Sequence, residues 1–419
     1  TPVGVPADAD PSRYVVGKVQ ECDRHPDADK LSVCQVEVDE ARPRTIVCGA
    51  PNVKAGQTVA VVLPGGVLPG GTVIKEAKLR GIISAGMILS EAELGLAAKS
   101  EGILVLPDEW VAGELLSDHF VLSDSVLEVE VTPNRPDCLS VRGLAREIAA
   151  ITGAPFDEQL SYPYPEGDRP VEKDIAIEVL APDLCPRYAG RIIRGISLEE
   201  SPLWLKARLS YAGMRPISNA VDVTNYVQWA LGQPLHAFDL RTIRGGKIVV
   251  RRAREGEILT TLDNERRVLG GDMLVIADCE EASAVAGVMG GFDSEIGEST
   301  TDILVEGANF WGPSIMRTSA ALGLRSEAST RYEKGLDPEM IDGALDLACS
   351  MLAELCGGTV SKGTVDVRVP LPARREIKLR DARIQHVLGA QVDAKETEAV
   401  LGGLGCEVSR RSGHLVVGV

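Results

Sequence analysis

Apolar positions in residues 13–120 come in short alternating or β-branched runs, "YVVGKVQEC", "SVCQVEV", "RTIVCGA" and "TVAVVLPGG". Pro26, Pro51, Pro64 and Gly65 punctuate them. A small closed or partly open β-barrel is expected, because closure leaves few unpaired edges. Residues 127–153 read as a strand, "LEVEV", a rigid turn, "TPNRPD", and a helix from about Leu139 to Ile151 that Asp137 can cap. "YPYPEGDRP" at 162–170 reads as a linker. From about Lys173 to Val369 helices mix with strands such as "KIVVRRA", "EILTTLD", "RRVL", "MLVIAD" and "DILVEGANF", and "LDNERR" can close a hairpin. A helix from about Pro338 to Cys356 ends at Gly357-Gly358. After Pro372 the pattern is strand, helix, helix, strand. The chain is therefore expected to be multidomain α+β: a barrel over 11–120, a connecting strand–helix segment and linker over 121–172, a mixed α+β domain over 173–370 and a small, incomplete α/β domain over 373–419.

One helix carries more polar groups than a core helix needs. In "VDVTNYVQWALGQPLHAFD" (221–239), Ser218 can cap the start, and Gly232 followed by Pro234 can stop it. At about 100° per residue, Ala220, Val223, Val227, Ala230 and Leu231 share one face, while Asp222, Asn225 and Trp229 fall on the other. Gln233, Leu235 and His236 leave from the helix end. The segment can thus place an amide, an indole and an imidazole around one hollow. Taken alone, the segment reads first as a capped surface helix followed by a satisfied histidine in a turn.

A length of 419 residues predicts two to four domains. Hydrophobic content of 44% with 25% charged residues is that of a soluble globular protein, and the scarce aromatics, 4%, leave the cores to Val, Leu, Ile and Ala. No apolar run is long enough to span a membrane, and no secretory leader is legible. The loose opening "TPVGVPADADPS" suggests a piece of a longer chain. Nine cysteines, scattered from Cys22 to Cys406 without a C-x-x-C pair, support neither a disulfide framework nor a thiolate zinc site. Asp27 and Asp29 lack the further acids, Gly and distant Glu of a calcium loop. A net charge of −17 argues against indiscriminate nucleic-acid binding. Lys54, Lys75, Lys78 and Arg80 are the locally basic residues, and on spacing alone they serve equally as solvent-facing decoration or RNA contacts.

Taken together, these stretches resemble the β subunit of bacterial phenylalanyl-tRNA synthetases. "HPDADKLSVCQVEV", "IVCGAPNV", "GGVLPGGTVI" and "KLRGIISAGMILSEAELGL" look like the family's tRNA-binding OB-fold module. "VEVTPNRPDCLSVRGLAREIAAITG" is similar to the segment that follows it. "MRPISNAVDVTNYVQWALGQPLHAFD", "AGVMGGFDSEI", "ILVEGANF" and "GLRSEASTRYEKGLDP" resemble the B3/B4 editing domain, and the final stretch the start of the B5 domain. All four in this order are specific, whereas the OB module alone recurs in several tRNA-associated proteins. The start of the family's N-terminal domain and the synthetase-like and anticodon-binding domains after B5 are not matched. The resemblance places aminoacylation in an α-subunit partner of a cytoplasmic α2β2 enzyme acting on tRNA(Phe), with ATP and magnesium expected for the complete enzyme and no cofactor for this portion.

The resemblance also implies post-transfer editing. An apolar pocket that selects phenylalanine rejects tyrosine, with its added hydroxyl, by only roughly 10²-fold in an analogous enzyme. A second site can instead hydrogen-bond that hydroxyl and hydrolyse the wrong ester. The matched motifs assign Glu306 to the para-hydroxyl, Asn225 and His236 to the same catalytic hollow, Gly290 to close backbone approach, and Ser326 and Ala328 to a wall of small side chains. His236 would polarise a water or anchor the terminal adenosine. The tRNA contacts would be Lys54, Lys75, Lys78 and Arg80. Two other readings stand beside this one: a structural RNA-binding scaffold with a degenerate pocket, and an OB-fold cytokine-like or RNA-chaperone module that accounts only for 13–120.

Overall fold

The β-branched runs near the N-terminus pair into a nearly closed barrel. In the computed structural model, which describes residues 1–38, 42–157, 160–370 and 375–419, strands Arg44–Cys48, Ser32–Glu37, Tyr14–Arg24, Thr58–Val62 and Met87–Ile88 lie side by side in that order, and Val105–Leu106 joins Thr58–Val62. Tyr14–Arg24 pairs through its first half with Thr58–Val62 and through its second with Ser32–Glu37, with a register shift between Val19 and Glu21. Gly17 sits where these strands meet: a Cβ there would lie 2.6 Å from Val61 and 2.7 Å from Val36. This unit comprises residues 1–129 together with 200–217. Helix Leu203–Tyr211, expected within 173–370, therefore belongs with the barrel. Its Ala207 and Tyr211 join the core around Tyr14, Val16 and Leu116, and the Tyr211 hydroxyl reaches Val121 O at 3.1 Å. "LEVEV" is not a ladder strand. The pairing there is Ser123–Ser125 with Pro2–Gly4, and Leu127 is 82% exposed.

The second unit, residues 130–199 and 218–419, is built on two sheets. We label Arg187–Arg194 β1, Leu235–Asp239 β2 and Asp302–Asn309 β3. The first sheet runs Glu166–Pro170, Thr359–Lys362, β1, β3, β2, with Val365–Arg368 also on β1. The expected linker thus ends in a strand: Glu166–Pro170 runs parallel to Thr359–Lys362, and Tyr164 just before it bonds Asp346 at 3.2 Å. The second sheet orders Ala176–Val179, Lys247–Arg252, Leu274–Ala277, Ala282–Val285 and Met289–Gly290. Hairpin Glu257–Thr260/Arg266–Leu269 forms as the sequence predicts, with Asn264 at φ 61° in its turn.

Between the sheets lie Tyr188, Ile192, Phe238, Leu304 and Ala308 from the first and Ile248, Val250, Leu274 and Ile276 from the second. On the other side of β3, a Cβ at Gly307 would lie 3.0 Å from Ile341, on the helix Met340–Cys356. With both faces covered, β3 is buried almost throughout, and its apolar run Ile303–Val305 does not alternate. Helix Val141–Thr152 begins on Ser140, whose Oγ accepts from Gly143 N–H at 2.9 Å. Asp137, the expected cap, lies in the preceding turn and pairs with Arg135. The last described segment is a three-stranded antiparallel sheet, Glu376–Arg380, His414–Gly418 and Glu407–Arg411, with helices Asp381–Leu388 and Ala394–Gly403. It has one strand more than expected, because Gly413 at φ 74° closes a hairpin. The expected junction at 371–373 lies outside the described residues. No helix among the described residues is long and apolar enough to cross a membrane.

Candidate functional site

Helix α1 spans Asn219–Leu231 and stops at Gly232, whose φ of 83° is the left-handed ending that Gly permits. Ser218 holds the N-cap position, but its side chain makes no cap bond. Beyond Gly232 the chain enters β2 within three residues, so His236 sits on a strand and not in a turn. Gln233 anchors this junction. It is 1% exposed, and its Nε2 reaches Ala308 O at 3.0 Å and the Tyr332 hydroxyl at 3.3 Å.

Strand pairing brings two of the expected residues together. β2 and β3 are antiparallel, and His236 lies directly opposite Glu306. Directly opposed residues project on the same face, and this one looks into the space between the sheets. On β1, Gly190 is the register partner of Glu306. Two residues away, Tyr188 shares that face and donates its hydroxyl to Glu306 Oε2 at 2.7 Å. Tyr188 is fully buried and Glu306 7% exposed. Among the described residues the other carboxylate oxygen, Oε1, accepts no hydrogen bond.

Burial sets the protonation states. It pushes the Glu306 carboxyl up to about 7, while the Tyr188 hydrogen bond pulls it down. It pushes the His236 imidazole down to about 4, so the ring is neutral at pH 7. His236 is half-buried as a residue, but its Nε2 is sealed from solvent and has no hydrogen-bond partner among the described residues. Burial and the nearby Glu306 charge hold Cys185, Tyr188 and Tyr332 well above their ordinary values, so all three remain protonated donors.

The small residues fit around this pair. A Cβ on Gly290 would lie 2.8 Å from His236 Cε1 and 3.2 Å from Nε2, so the imidazole rests on bare backbone. Ser326 caps the short helix α2, Glu327–Tyr332: its Oγ accepts from Ser329 N–H at 3.0 Å and donates to Val288 O at 2.9 Å. That bond ties α2 to the turn leading into Gly290. Ala328 is partly buried against the core between the sheets. Asp222 is fully buried, Trp229 lies under the Arg331 guanidinium at 5.4 Å, and Asn225 is half-buried mid-helix with no hydrogen bond to His236 or Glu306. Tyr188, Tyr332 and Cys185 were not singled out in the sequence. Tyr188 stands in an ordinary apolar strand, and only the β1–β3 register brings it to Glu306.

In the first unit, Lys54 is in a loop, while Lys75, Lys78 and Arg80 lie on or beside the hairpin Ala77–Leu79/Ile82–Ser84. Arg80 at φ 47° and Gly81 at φ 98° form its two-residue turn. All four are exposed, and none is in an ion pair among the described residues. His25 pins the hairpin. Its Nδ1 accepts from Asp27 N–H at 3.1 Å, so the proton is on Nε2, which donates to Leu79 O at 3.2 Å. Asp27 and Asp29 are exposed, and no cluster able to hold a metal ion occurs among the described residues.

Two family models match the chain: a putative tRNA binding domain over residues 14–115, within the first unit, and a B3/4 domain over residues 184–357, which lies in the second unit except for 200–217. The phenylalanine–tRNA ligase β subunit of Syntrophus aciditrophicus (strain SB) is 45% identical over 404 residues, 96% of this chain and 50% of that protein. The chain belongs to the phenylalanine–tRNA ligase β-subunit family. Other β subunits of the family, from Moorella thermoacetica (strain ATCC 39073 / JCM 9320) and Geobacter metallireducens (strain ATCC 53774 / DSM 7210 / GS-15), are 47% and 48% identical, each over 94% of this chain. The chain spans about half the length of these β subunits.

Proposed function

We propose that this chain supplies the tRNA-contacting and editing functions of a phenylalanine–tRNA ligase β subunit, and that its second unit hydrolyses tyrosine esterified to tRNA(Phe). The observation that carries this reading is the opposition of His236 and Glu306 on adjacent strands, with Gly290 backbone against the imidazole. A carboxylate enclosed between two sheets is costly unless it has a partner or a task. Here one oxygen is held by Tyr188 and the other accepts no bond. A tyrosyl phenol supplies the missing donor. A phenylalanyl ring would leave that oxygen buried and unpaired, at about 1–3 kcal/mol or more for a charged group.

Hydrolysis then needs water near the ester. The neutral imidazole of His236 can orient a water or the terminal ribose hydroxyl, and the enclosure holds ester and water in an attack geometry. No covalent nucleophile enters, because among the described residues no hydroxyl, thiol or carboxylate hydrogen-bonds His236. Ser326 and Ala328 keep the wall beside α2 small, and Asn225 would act from α1. The exposed Lys75, Lys78 and Arg80 hairpin, with Lys54, would meet tRNA phosphates. Charging of tRNA with phenylalanine belongs to an α-subunit partner in a cytoplasmic α2β2 enzyme. ATP and magnesium serve that reaction, and no residue of this chain is assigned to them.

The test is deacylation of Tyr-tRNA(Phe) and Phe-tRNA(Phe) by the full-length β subunit with its α partner. The tyrosyl ester should be hydrolysed preferentially, and Glu306→Ala should reduce that preference about 10- to 100-fold, the worth of a charged hydrogen bond. Equal rates on both esters would instead favour a scaffold with a degenerate pocket.

A further inference from the structure

We propose that Tyr188 is a specificity-setting positioning residue of this site: by bonding Glu306 Oε2 it fixes the carboxylate so that Oε1 alone is presented to the amino-acid side chain of the ester. The proposal rests on the editing reading above. Three observations support it. The Tyr188 hydroxyl has Glu306 as its one hydrogen-bond partner among the described residues, at 2.7 Å with both groups buried. The register of β1 on β3, Gly190 against Glu306, sets Tyr188 diagonally beside the carboxylate, within reach of a tyrosine side chain. Gly190, directly opposite Glu306, adds no side chain beside the carboxylate, and a Cβ there would lie 2.9 Å from Leu304.

The strand itself is held from its other face. Arg187, 2% exposed, bonds Asp342 at 2.7 Å, Asp366 at 2.9 Å and Pro338 O at 2.6 Å. A residue anchored next to such a clamp delivers its hydroxyl to one place. Without that bond, Glu306 has two equivalent oxygens and a free rotation about its last torsion. It can then turn its unpaired oxygen away from a phenylalanyl ring. The penalty that separates the two esters depends on preventing this.

The hydroxyl also favours the ionised form of the carboxyl. The other titratable groups facing Glu306 are His236 across β2, Cys185 before β1 and Tyr332 on α2. All three are uncharged at neutral pH, so burial raises the Glu306 carboxyl and Tyr188 is the side chain that pulls it back down.

The experiment measures the ratio of Tyr-tRNA(Phe) to Phe-tRNA(Phe) deacylation against pH, for the full-length protein with its α partner. Tyr188→Phe keeps the ring and removes the hydroxyl. The ratio should fall about tenfold, the lower end for a hydrogen bond to a charge, and its pH midpoint should move up. Adding Tyr188→Phe to Glu306→Gln should cause no further loss of ratio. A Tyr188→Phe variant that lowers both esters equally, or leaves ratio and midpoint unchanged while Glu306→Ala removes the preference, overturns the role of Tyr188 and leaves that of Glu306 intact. If Glu306→Ala itself leaves the ratio unchanged, the editing reading falls and Tyr188 with it. Should Tyr188→Phe not fold, 3-fluorotyrosine in place of Tyr188 retains the ring and strengthens the donor. It should move the pH midpoint down, and an unmoved midpoint would count against the proposal.

Discussion

Replacing Glu306 with glutamine should make the protein's stability less dependent on pH. Burial raises the carboxyl from an ordinary value of 4.5 to about 7. The native state therefore binds more protons than the unfolded chain between those two values. The stability associated with Glu306 is present in full below about pH 4.5, is lost as pH rises through about 7, and is flat above. A raised proton affinity of 7 against 4.5, integrated from pH 5 to pH 8, corresponds to a loss of about 2–3 kcal/mol at roughly 1.36 kcal/mol per unit. Glu306→Gln keeps the shape and the acceptor for Tyr188 but cannot ionise. The fixed cost of its amide cancels when the same variant is compared at two pH values. Hydrogen exchange of the β3 amides reports the relevant opening free energy without requiring both units to unfold together. Relative to wild type, Glu306→Gln should gain about 2–3 kcal/mol of protection on going from pH 5 to pH 8. A gain below about 0.5 kcal/mol, within ordinary scatter for surface substitutions, would mean that the carboxyl does not ionise in an enclosed setting. The reasoning about its chemistry would then be wrong.

Gly290→Ala brings a Cβ to 2.8 Å from the His236 ring. Deacylation of both esters should drop about 10²-fold, the order expected for a misplaced group, with the Tyr/Phe ratio kept; a changed ratio would show that Gly290 contributes to side-chain recognition. Ala328→Trp should abolish tyrosyl-ester hydrolysis while phenylalanine charging by the complete enzyme stays near normal, and joint loss of both activities would mark Ala328 as a residue that holds up the fold. Lys75→Ala and Lys78→Ala should each flatten the slope of log affinity for tRNA against log salt by about 0.7–0.9; unchanged slopes in both would remove the hairpin from the tRNA surface.

Local chemistry was legible in the sequence and register was not. The end of α1 at Gly232 and the hairpin closing through Asn264 follow from residues within a few positions of each turn. The strand character of "DILVEGANF" was legible too, but alternation allowed Glu306 to face solvent. Its burial depends on a second sheet that covers that face, which no short window contains. Glu166–Pro170 looked like a linker because its sequence is rich in proline and charge; its partner, Thr359–Lys362, lies far along the chain. Helix Leu203–Tyr211 gave no sign that its Tyr211 would pack with the barrel. The residues around His236 came from matched motifs, yet the pairing that sets His236 opposite Glu306, and Tyr188 beside it, is a property of three strands that are remote in sequence. Asn225 shows the converse. Its motif placed it in the hollow, while the helix keeps it clear of hydrogen bonds to the pair.

The partners of the Glu306 hydrogen bond are 118 residues apart in the chain. At a synthesis rate of roughly 5–20 residues per second, Tyr188 leaves the ribosome about 6–24 s before the carboxylate it will hold. Throughout that interval β1 has neither β3 on one edge nor Thr359–Lys362 and Val365–Arg368 on the other, and its apolar face is uncovered. The barrel is under no such delay, since its last contribution, the helix ending at Tyr211, is complete soon after β1 is made. A nascent chain thus carries a finished barrel alongside an unpaired strand for many seconds. That strand is the segment most in need of shielding during synthesis.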